Sequence, residues 1–412
     1  MRHVHVVGAG VAGLAAAVTL AAAGRQVTVY EAGPAGGGRC RSYHDRDLGC
    51  RIDNGNHLLL SGNSTTMAYL AQIGAADTLV GPVRPLFPFV DVAGGARWVL
   101  APGRGRLPWW IFSHRRRVPG TRARDYLALL ALRRVRGDAT VQQILDDGGA
   151  LYRRLLAPLA IAALNTAPDE GLARLLGRVV QETLLRGGAA CLPRVPRVGL
   201  SETFVDPAVA FLTARGSEVL TGRRVTALHR DGGAISGLET ADGIINIADS
   251  AAVLAVPPPV AAGLLPGLAV PQTFSAILNI HFRTQAAPGP TGFVGVIGGV
   301  AEWVFVRPGI VSVTISAADH LADLPAADIA ARVWPDVCLA LGLSGAMPPA
   351  RVVKERRATF AATAAEEARR PGARTPWRNL VLAGDWTNTG LPATIEGAIR
   401  SGRTAAQMLL AH

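Results

Sequence analysis

Gly8-Ala9-Gly10-Val11-Ala12-Gly13, followed by the acidic Glu31, has the spacing that holds a dinucleotide. Gly8 permits a tight turn, Gly10 lets the backbone approach a pyrophosphate, and Gly13 lets a helix lie close on a strand. The phosphates then meet the positive end of that helix. Glu31, with Ala32 next to it, stands where a carboxylate can accept both ribose hydroxyls of an adenosine. Two further clusters could act on the same ligand. Gly36-Gly37-Gly38-Arg39-Cys40-Arg41-Ser42 joins glycine backbone that can come close with the forked cation of Arg39, suited to phosphate oxygens. Towards the other end of the chain, Gly384-Asp385-Trp386-Thr387 leads into Gly390-Leu391-Pro392-Ala393-Thr394-Ile395-Glu396, which opens a helix.

These residues need a strand-turn-helix-strand frame to converge. His3 to Val7 is β-branched like a buried strand, a helix runs from Val11 to about Ala23, and Gln26 to Tyr30 forms the second parallel strand. Helical spacing follows in Asp125–Arg136, Val141–Leu145, Leu151–Leu164 and Glu170–Leu185. Short strands return at Ser217–Leu220, Arg224–His229, Ile235–Thr240, Ile244–Ile247 and Ala252–Ala255, before a proline run from Pro257 to Pro259. Ala276–Phe282 and Ile310–Ser316 read as apolar strands, Ala326–Leu341 as a helix, Leu380–Ala383 as a strand and Thr394–Leu410 as a helix. The expected division is a discontinuous nucleotide-binding domain (residues 1–86, 193–270 and 350–412) with a substrate domain inserted twice (87–192 and 271–349).

Composition narrows the function classes. With 412 residues, 49% hydrophobic and 17% charged, the chain can bury two cores and is not disordered. A formal charge of +12 favours anionic partners. No zinc-finger spacing, RNA-binding signature or aromatic-interleaved arginine run is present, so nucleic acid is not expected and a lipid surface suits the charge better. The four cysteines form no CxxC pair, so no metal site or disulfide frame is expected, and a reducing cytoplasm is the simplest home. Val6 to Gly24 is apolar like a signal-peptide core, yet its glycines fit the nucleotide turn better. No other stretch is long and apolar enough to span a bilayer.

The glycine-arginine cluster and the C-terminal Gly384–Ala398 segment resemble the two flavin segments of the amine oxidase and phytoene desaturase group. Asp53-Asn54-Gly55-Asn56-His57-Leu58-Leu59-Leu60, Ala163-Leu164-Asn165-Thr166, Ser312–Ala317 and Glu355–Phe360 narrow this further. They resemble segments of the hydroxysqualene dehydroxylases, and the likeness runs from residue 4 to about residue 408. It departs at Asn56, where the family has Gln, and at Ser61-Gly62-Asn63.

The resemblance implies an α/β fold: a Rossmann-type FAD-binding domain with an inserted mixed α+β substrate domain. It implies FAD contacts from Gly8, Ala9, Gly10, Ala12, Gly13, Glu31, Ala32, Gly38, Arg39, Asn56, His57, Val225, Gly384, Asp385, Pro392, Thr394, Ile395 and Glu396. Asp385 would serve the ribityl chain, and Trp386 would line the substrate side or belong to the core. The implied reaction is reductive dehydroxylation of hydroxysqualene to squalene in hopanoid synthesis, which needs dry, apolar walls and a proton donor for the leaving oxygen. His57 is the candidate donor, with flavin positioning as the alternative role.

Rival readings are a carotenoid or phytoene desaturase and a non-catalytic flavin scaffold. An amine oxidase of this group commonly carries a lysine on the strand that corresponds to Ser275–Phe282; the chain's only lysine is Lys354. A single dinucleotide fingerprint leaves the electron donor unidentified, and the enzyme that forms hydroxysqualene is the expected pathway neighbour. Leu107-Pro108-Trp109-Trp110-Ile111-Phe112-Ser113-His114-Arg115-Arg116-Arg117 supports peripheral contact with the inner face of the cell membrane, or equally a buried aromatic cluster beside a solvated basic turn.

Overall fold

The computed structural model describes residues 3–411. The continuous apolar runs of His3–Val7, Gln26–Tyr30 and Ala251–Leu254 suit a sheet covered on both faces. They form the centre of a five-stranded parallel sheet ordered Glu218–Leu220, Gln26–Tyr30, His3–Val7, Ala251–Leu254, Leu380–Leu382. Helices Val11–Ala22 and Ile395–Leu410 pack against each other over it, with Val6, Leu14, Val253 and Ile399 in one core. The two helices come so close that any side chain at Gly402 would run into the Ala12 carbonyl.

A second, seven-stranded sheet is ordered Ala350–Phe360, Phe274–Phe282, Ile310–Ile315, Trp303–Arg307, Phe293–Ile297, Phe87–Asp91, Arg97–Leu100. Its period-two pattern gives it two different faces. Leu278, Ile280, Val304 and Val313 meet Ile329, Val333 and Val337 of helix Ala326–Leu341, which Gly342 ends in the left-handed region at φ +69°. The opposite face carries Phe87, Phe89 and Phe305 towards helices Ala157–Leu164 and Ala173–Glu182. Along strand Phe274–Phe282 that face also receives Ser275, Asn279 and His281, all buried polar residues in an otherwise apolar strand.

Two expectations need correction. Strand Ala350–Phe360, expected in the third nucleotide-binding segment, is the edge of the second sheet, antiparallel to Phe274–Phe282. Its charged stretch Lys354-Glu355-Arg356-Arg357 hid it, because an edge strand exposed to solvent carries charge where a central one cannot. The helix expected over Asp125–Arg136 is a 3-10 turn, Ala123–Leu127, and a single helical turn, Ala128–Ala131. The like charges of Arg133, Arg134 and Arg136, followed by Gly137 at φ +72°, end it.

Asp53, at the end of strand Cys50–Asp53, ties the small two-stranded sheet that this strand forms with Ser42–Asp45 to the second sheet. One carboxylate oxygen accepts from the Ser42 hydroxyl at 2.6 Å and the Leu200 amide at 3.0 Å. The other pairs with Arg307 of the second sheet at 2.9 Å, with the Asp53 side chain only 5% exposed. The Asp53 motif that carries the family resemblance therefore begins with a structural clasp.

Candidate active site

A cavity of about 1290 Å³ lies between the two sheets. Its size exceeds the roughly 1000 Å³ that bounds ordinary small-ligand pockets, which fits a dinucleotide plus a second ligand. One half is built from the N-terminal turn. Gly8 has φ +104°, and a Cβ there would sit 2.5 Å from the Ala255 carbonyl oxygen. Gly13 faces the Gly8 carbonyl so closely that no side chain fits, which sets helix Val11–Ala22 down on its strand. Gly10 caps that helix at φ −66°, and no atom lies within 4 Å of where its Cβ would stand, so its missing side chain opens space beside the unpaired N–H groups of the first turn. This cradle suits a pyrophosphate.

Glu31 is held by two amides, Ala9 N–H at 2.9 Å to one oxygen and Gly33 N–H at 2.7 Å to the other. Each oxygen keeps acceptor capacity for a ribose hydroxyl. Gly8, Gly10, Ala12, Glu31, Ala32, Gly38, Arg39, Asn56, His57, Val225, Gly384, Asp385, Trp386, Thr394, Ile395 and Glu396 all line the cavity. Ala9, Gly13 and Pro392 do not. Ala9 is fully buried, and its carbonyl accepts from Gly37 N–H at 2.7 Å, so it holds the second glycine loop in place. The Pro392 carbonyl accepts from the Thr394 hydroxyl at 3.3 Å in the turn before the C-terminal helix.

Three side chains on the wall are committed in ways their motifs did not reveal. The Arg39 guanidinium grips both Asp385 oxygens at 2.7 and 2.8 Å and also donates to the Ala358 carbonyl. The fork expected to face phosphate thus joins the first and last cofactor segments to the edge strand. Glu396 accepts from the amides of Thr65 and Thr66 at 3.0 and 2.8 Å and from the Thr66 hydroxyl at 2.7 Å. It so caps helix Ser64–Gln72, whose own N-cap, Asn63, makes no side-chain cap bond. Burial alone would raise the Glu396 pKa; the hydrogen bonds from Thr65 and Thr66 outweigh it and hold the carboxylate below its ordinary range. Trp386 is 1% exposed and donates its indole N–H to Val256 O at 3.0 Å, a core residue that also lines the cavity.

The other half of the cavity is apolar, lined by Phe87, Phe89, Leu100, Trp110, Leu159 and Phe305 among others. At the junction sits a small polar island. Asn279 and Thr314 are directly opposed on adjacent strands. The Thr314 hydroxyl donates to Asn279 Oδ1 at 2.9 Å, and Asn56 Nδ2 reaches Asn279 Oδ1 at 3.3 Å and Thr314 Oγ1 at 3.1 Å. Asn279 Nδ2 donates one proton to Asn54 O at 3.2 Å; its second N–H has no partner among the described residues. Asn165 closes the far side in the left-handed region at φ 49°, donating to Ser275 O at 3.1 Å and Thr359 Oγ1 at 2.9 Å. Asn279, Thr314 and Thr359 were missed from sequence. The available signal was polar residues on alternate positions of Phe274–Phe282.

His57 borders the island. Burial lowers its pKa to about 4, with Asp53 opposing and Arg39 adding to the fall. The imidazole is neutral at pH 7, which suits positioning rather than release of an imidazolium proton. Burial likewise lowers His5 and His281 to about 4. Each of the three has a folded pKa below its unfolded value, so the unfolded state binds more protons below about pH 6.5. Glu302, raised by burial to about 7, acts in the opposite sense and offsets one of them between roughly pH 4.5 and 7. The net expectation is a melting temperature that falls steadily from about pH 6.5 to 4. Thermal melts across that range check it, and a flat profile contradicts it.

Comparison with known proteins follows the same lines. Residues 11–410 match the model of the family described as flavin containing amine oxidoreductase. The chain is 52% identical over 412 residues to a hydroxysqualene dehydroxylase of Rhodopseudomonas palustris, covering 100% of this chain and 99% of that one. It is 49% identical to that of Sinorhizobium fredii, with the same coverage over 412 residues. Among solved structures, cyclohexylamine oxidase from Brevibacterium oxydans shares the fold with a TM-score of 0.71 at 17% identity, covering 98% of each chain.

Proposed function

Since the chain belongs to the flavin-containing amine oxidoreductases and, within them, to the hydroxysqualene dehydroxylases, we propose that it reduces hydroxysqualene to squalene in hopanoid synthesis. The observation that carries this beyond kinship is the largely apolar chamber, which continues from the dinucleotide cradle past the polar island of Asn56, Asn279 and Thr314. FAD, when bound and reduced by an external electron donor, would supply the hydride that takes the place of the hydroxyl. The C–O bond breaks, a C–H bond forms, and the oxygen leaves with one added proton as water.

The chain's own residues divide the remaining work. The cradle of Gly8, Gly10 and the first helical turn, with Glu31 and Val225 at the far end, would hold the dinucleotide. Phe87, Phe89, Leu159 and Phe305 keep water from a carbon that develops positive charge. Asn279, which lines the cavity, would hold the departing oxygen through its unspent N–H, and Thr314 and Asn56 fix the amide through its Oδ1. Asn279→Leu is expected to lower kcat/KM for hydroxysqualene roughly ten- to hundredfold with FAD content unchanged, the loss of one or two hydrogen-bond energies. Steady-state product analysis checks it; an unaltered kcat/KM removes Asn279 from this role.

Lys354 supports dehydroxylation over amine oxidation: its ammonium donates to the Ala322 carbonyl at 3.0 Å and to the Leu324 carbonyl, and it does not line the cavity. The test offers the FAD-loaded protein and a reductant hydroxysqualene, and the protein with an oxidant phytoene. Squalene from the first and no desaturated product from the second is the expected result. Phytoene desaturation with hydroxysqualene untouched would instead make it a carotenoid desaturase, and FAD without either turnover a scaffold.

We further infer peripheral contact with the inner face of the cell membrane, where the enzyme forming hydroxysqualene would leave its product. No helix among the described residues is long and apolar enough to cross a membrane. Leu107, Trp109 and Phe112 are 64%, 71% and 66% exposed, in a segment whose Leu107, Pro108, Trp110 and Ile111 line the cavity. Trp110, by contrast, turns inward and meets the Tyr126 ring edge-on at 5.2 Å. The adjacent tryptophans therefore serve opposite sides. Trp109→Ser with Phe112→Ser is expected to release the protein from vesicles, measured by co-sedimentation; unchanged binding removes the membrane reading.

A further inference from the structure

We propose that a basic groove beside the mouth of the cavity binds the phosphate of an anionic lipid headgroup and so orients the mouth towards the bilayer. The proposal rests on the membrane reading above and adds a second, chemically distinct footprint. The groove, about 1000 Å³, is lined by Arg133, Arg134, Arg136, Arg174 and Arg178. Of these, only Arg174 is paired with a carboxylate among the described residues, Glu367 at 3.1 Å. Glu367 is itself buried and also held by Arg370 at 2.6 Å, so it offers the groove little free negative charge. Arg133, Arg134, Arg136 and Arg178 are exposed, and they line the groove from the segment after helix Ala128–Ala131 and from helix Ala173–Glu182. Forked donors of this kind suit phosphate oxygens.

The position of the groove selects the source of that phosphate. Arg133 stands in both walls, that of the groove and that of the main cavity. One turn earlier, Leu127 and Leu130 are 60% and 46% exposed and also line the cavity. Moving outwards, the surface therefore goes from apolar chamber to exposed leucines to unpaired arginines, the order in which acyl chains and headgroup phosphates follow one another at a membrane surface. Together with Leu107, Trp109 and Phe112, the leucines add apolar area to the same rim. A substrate dissolved among acyl chains would then enter the chamber without crossing water.

The test measures binding of the full-length, FAD-loaded protein to phosphatidylcholine vesicles with and without phosphatidylglycerol. Arg134→Ser, Arg136→Ser and Arg178→Ser are combined, leaving Arg133 and the cavity intact. Each arginine near an anionic surface contributes about fivefold in affinity, so the triple variant is expected to bind phosphatidylglycerol vesicles on the order of a hundredfold more weakly. It should bind pure phosphatidylcholine as the parent does and turn over detergent-dispersed substrate unchanged. Trp109→Ser with Phe112→Ser should lose binding to both vesicle types. If the triple variant keeps the parent's preference for phosphatidylglycerol while the aromatic variant is released, the groove proposal falls and the membrane reading stands. If neither variant changes binding, both fall.

Discussion

Gly10→Val is expected to yield a folded protein that purifies without flavin, its FAD affinity lowered by about a hundredfold or more. Gly10 has an ordinary φ of −66° and no atom within 4 Å of the space a Cβ would take, so the fold itself tolerates the change. The valine methyls instead enter the cradle where the backbone must approach a pyrophosphate. Gly13→Val supplies the contrast. There the new side chain meets the Gly8 carbonyl and the Ala255 methyl, and the expected loss is of the fold. Flavin absorbance of the purified proteins and circular dichroism separate the two outcomes. A Gly10→Val protein that keeps stoichiometric FAD contradicts the assignment of the cradle.

Asp53→Ala is expected to cost about 3–5 kcal/mol of stability, the usual result of removing one partner from a buried ion pair. Arg307, only 17% exposed, would keep its charge without a counter-ion, and the Leu200 amide would lose its acceptor. Adding Arg307→Met removes the stranded charge, so the double variant should be less destabilised than Asp53→Ala alone. Urea denaturation of all three proteins decides this. Equal stability of Asp53→Ala and the parent would show that the clasp carries no energy.

The sequence disclosed best those features that depend on backbone geometry. Gly8 and Gly13 are glycines because neighbouring atoms exclude a Cβ, and such constraints leave a readable spacing. Helix Ala326–Leu341 was legible to its ends, since Gly342 stops its apolar periodicity. What sequence did not show is which separate segments share one polar contact. Asn56, Asn279 and Thr314 form one island from distant positions, and only the register of Asn279 against Thr314 unites them. Glu396 looked like a cofactor contact because it opens the C-terminal helix, yet its carboxylate caps another helix in trans. Trp109 and Trp110 are chemically identical neighbours, and a single 3-10 turn, Trp109–Phe112, sends one outwards and the other into the chamber. Edge strand Ala350–Phe360 hid behind its charges, which solvent tolerates on an edge.

The most direct measurement reduces the purified flavoprotein with dithionite under anaerobic conditions, adds hydroxysqualene, and follows flavin absorbance and products together. Reoxidation of the flavin with one squalene formed per flavin is the predicted result. A flavin that stays reduced, with hydroxysqualene recovered intact, would contradict the proposed dehydroxylation.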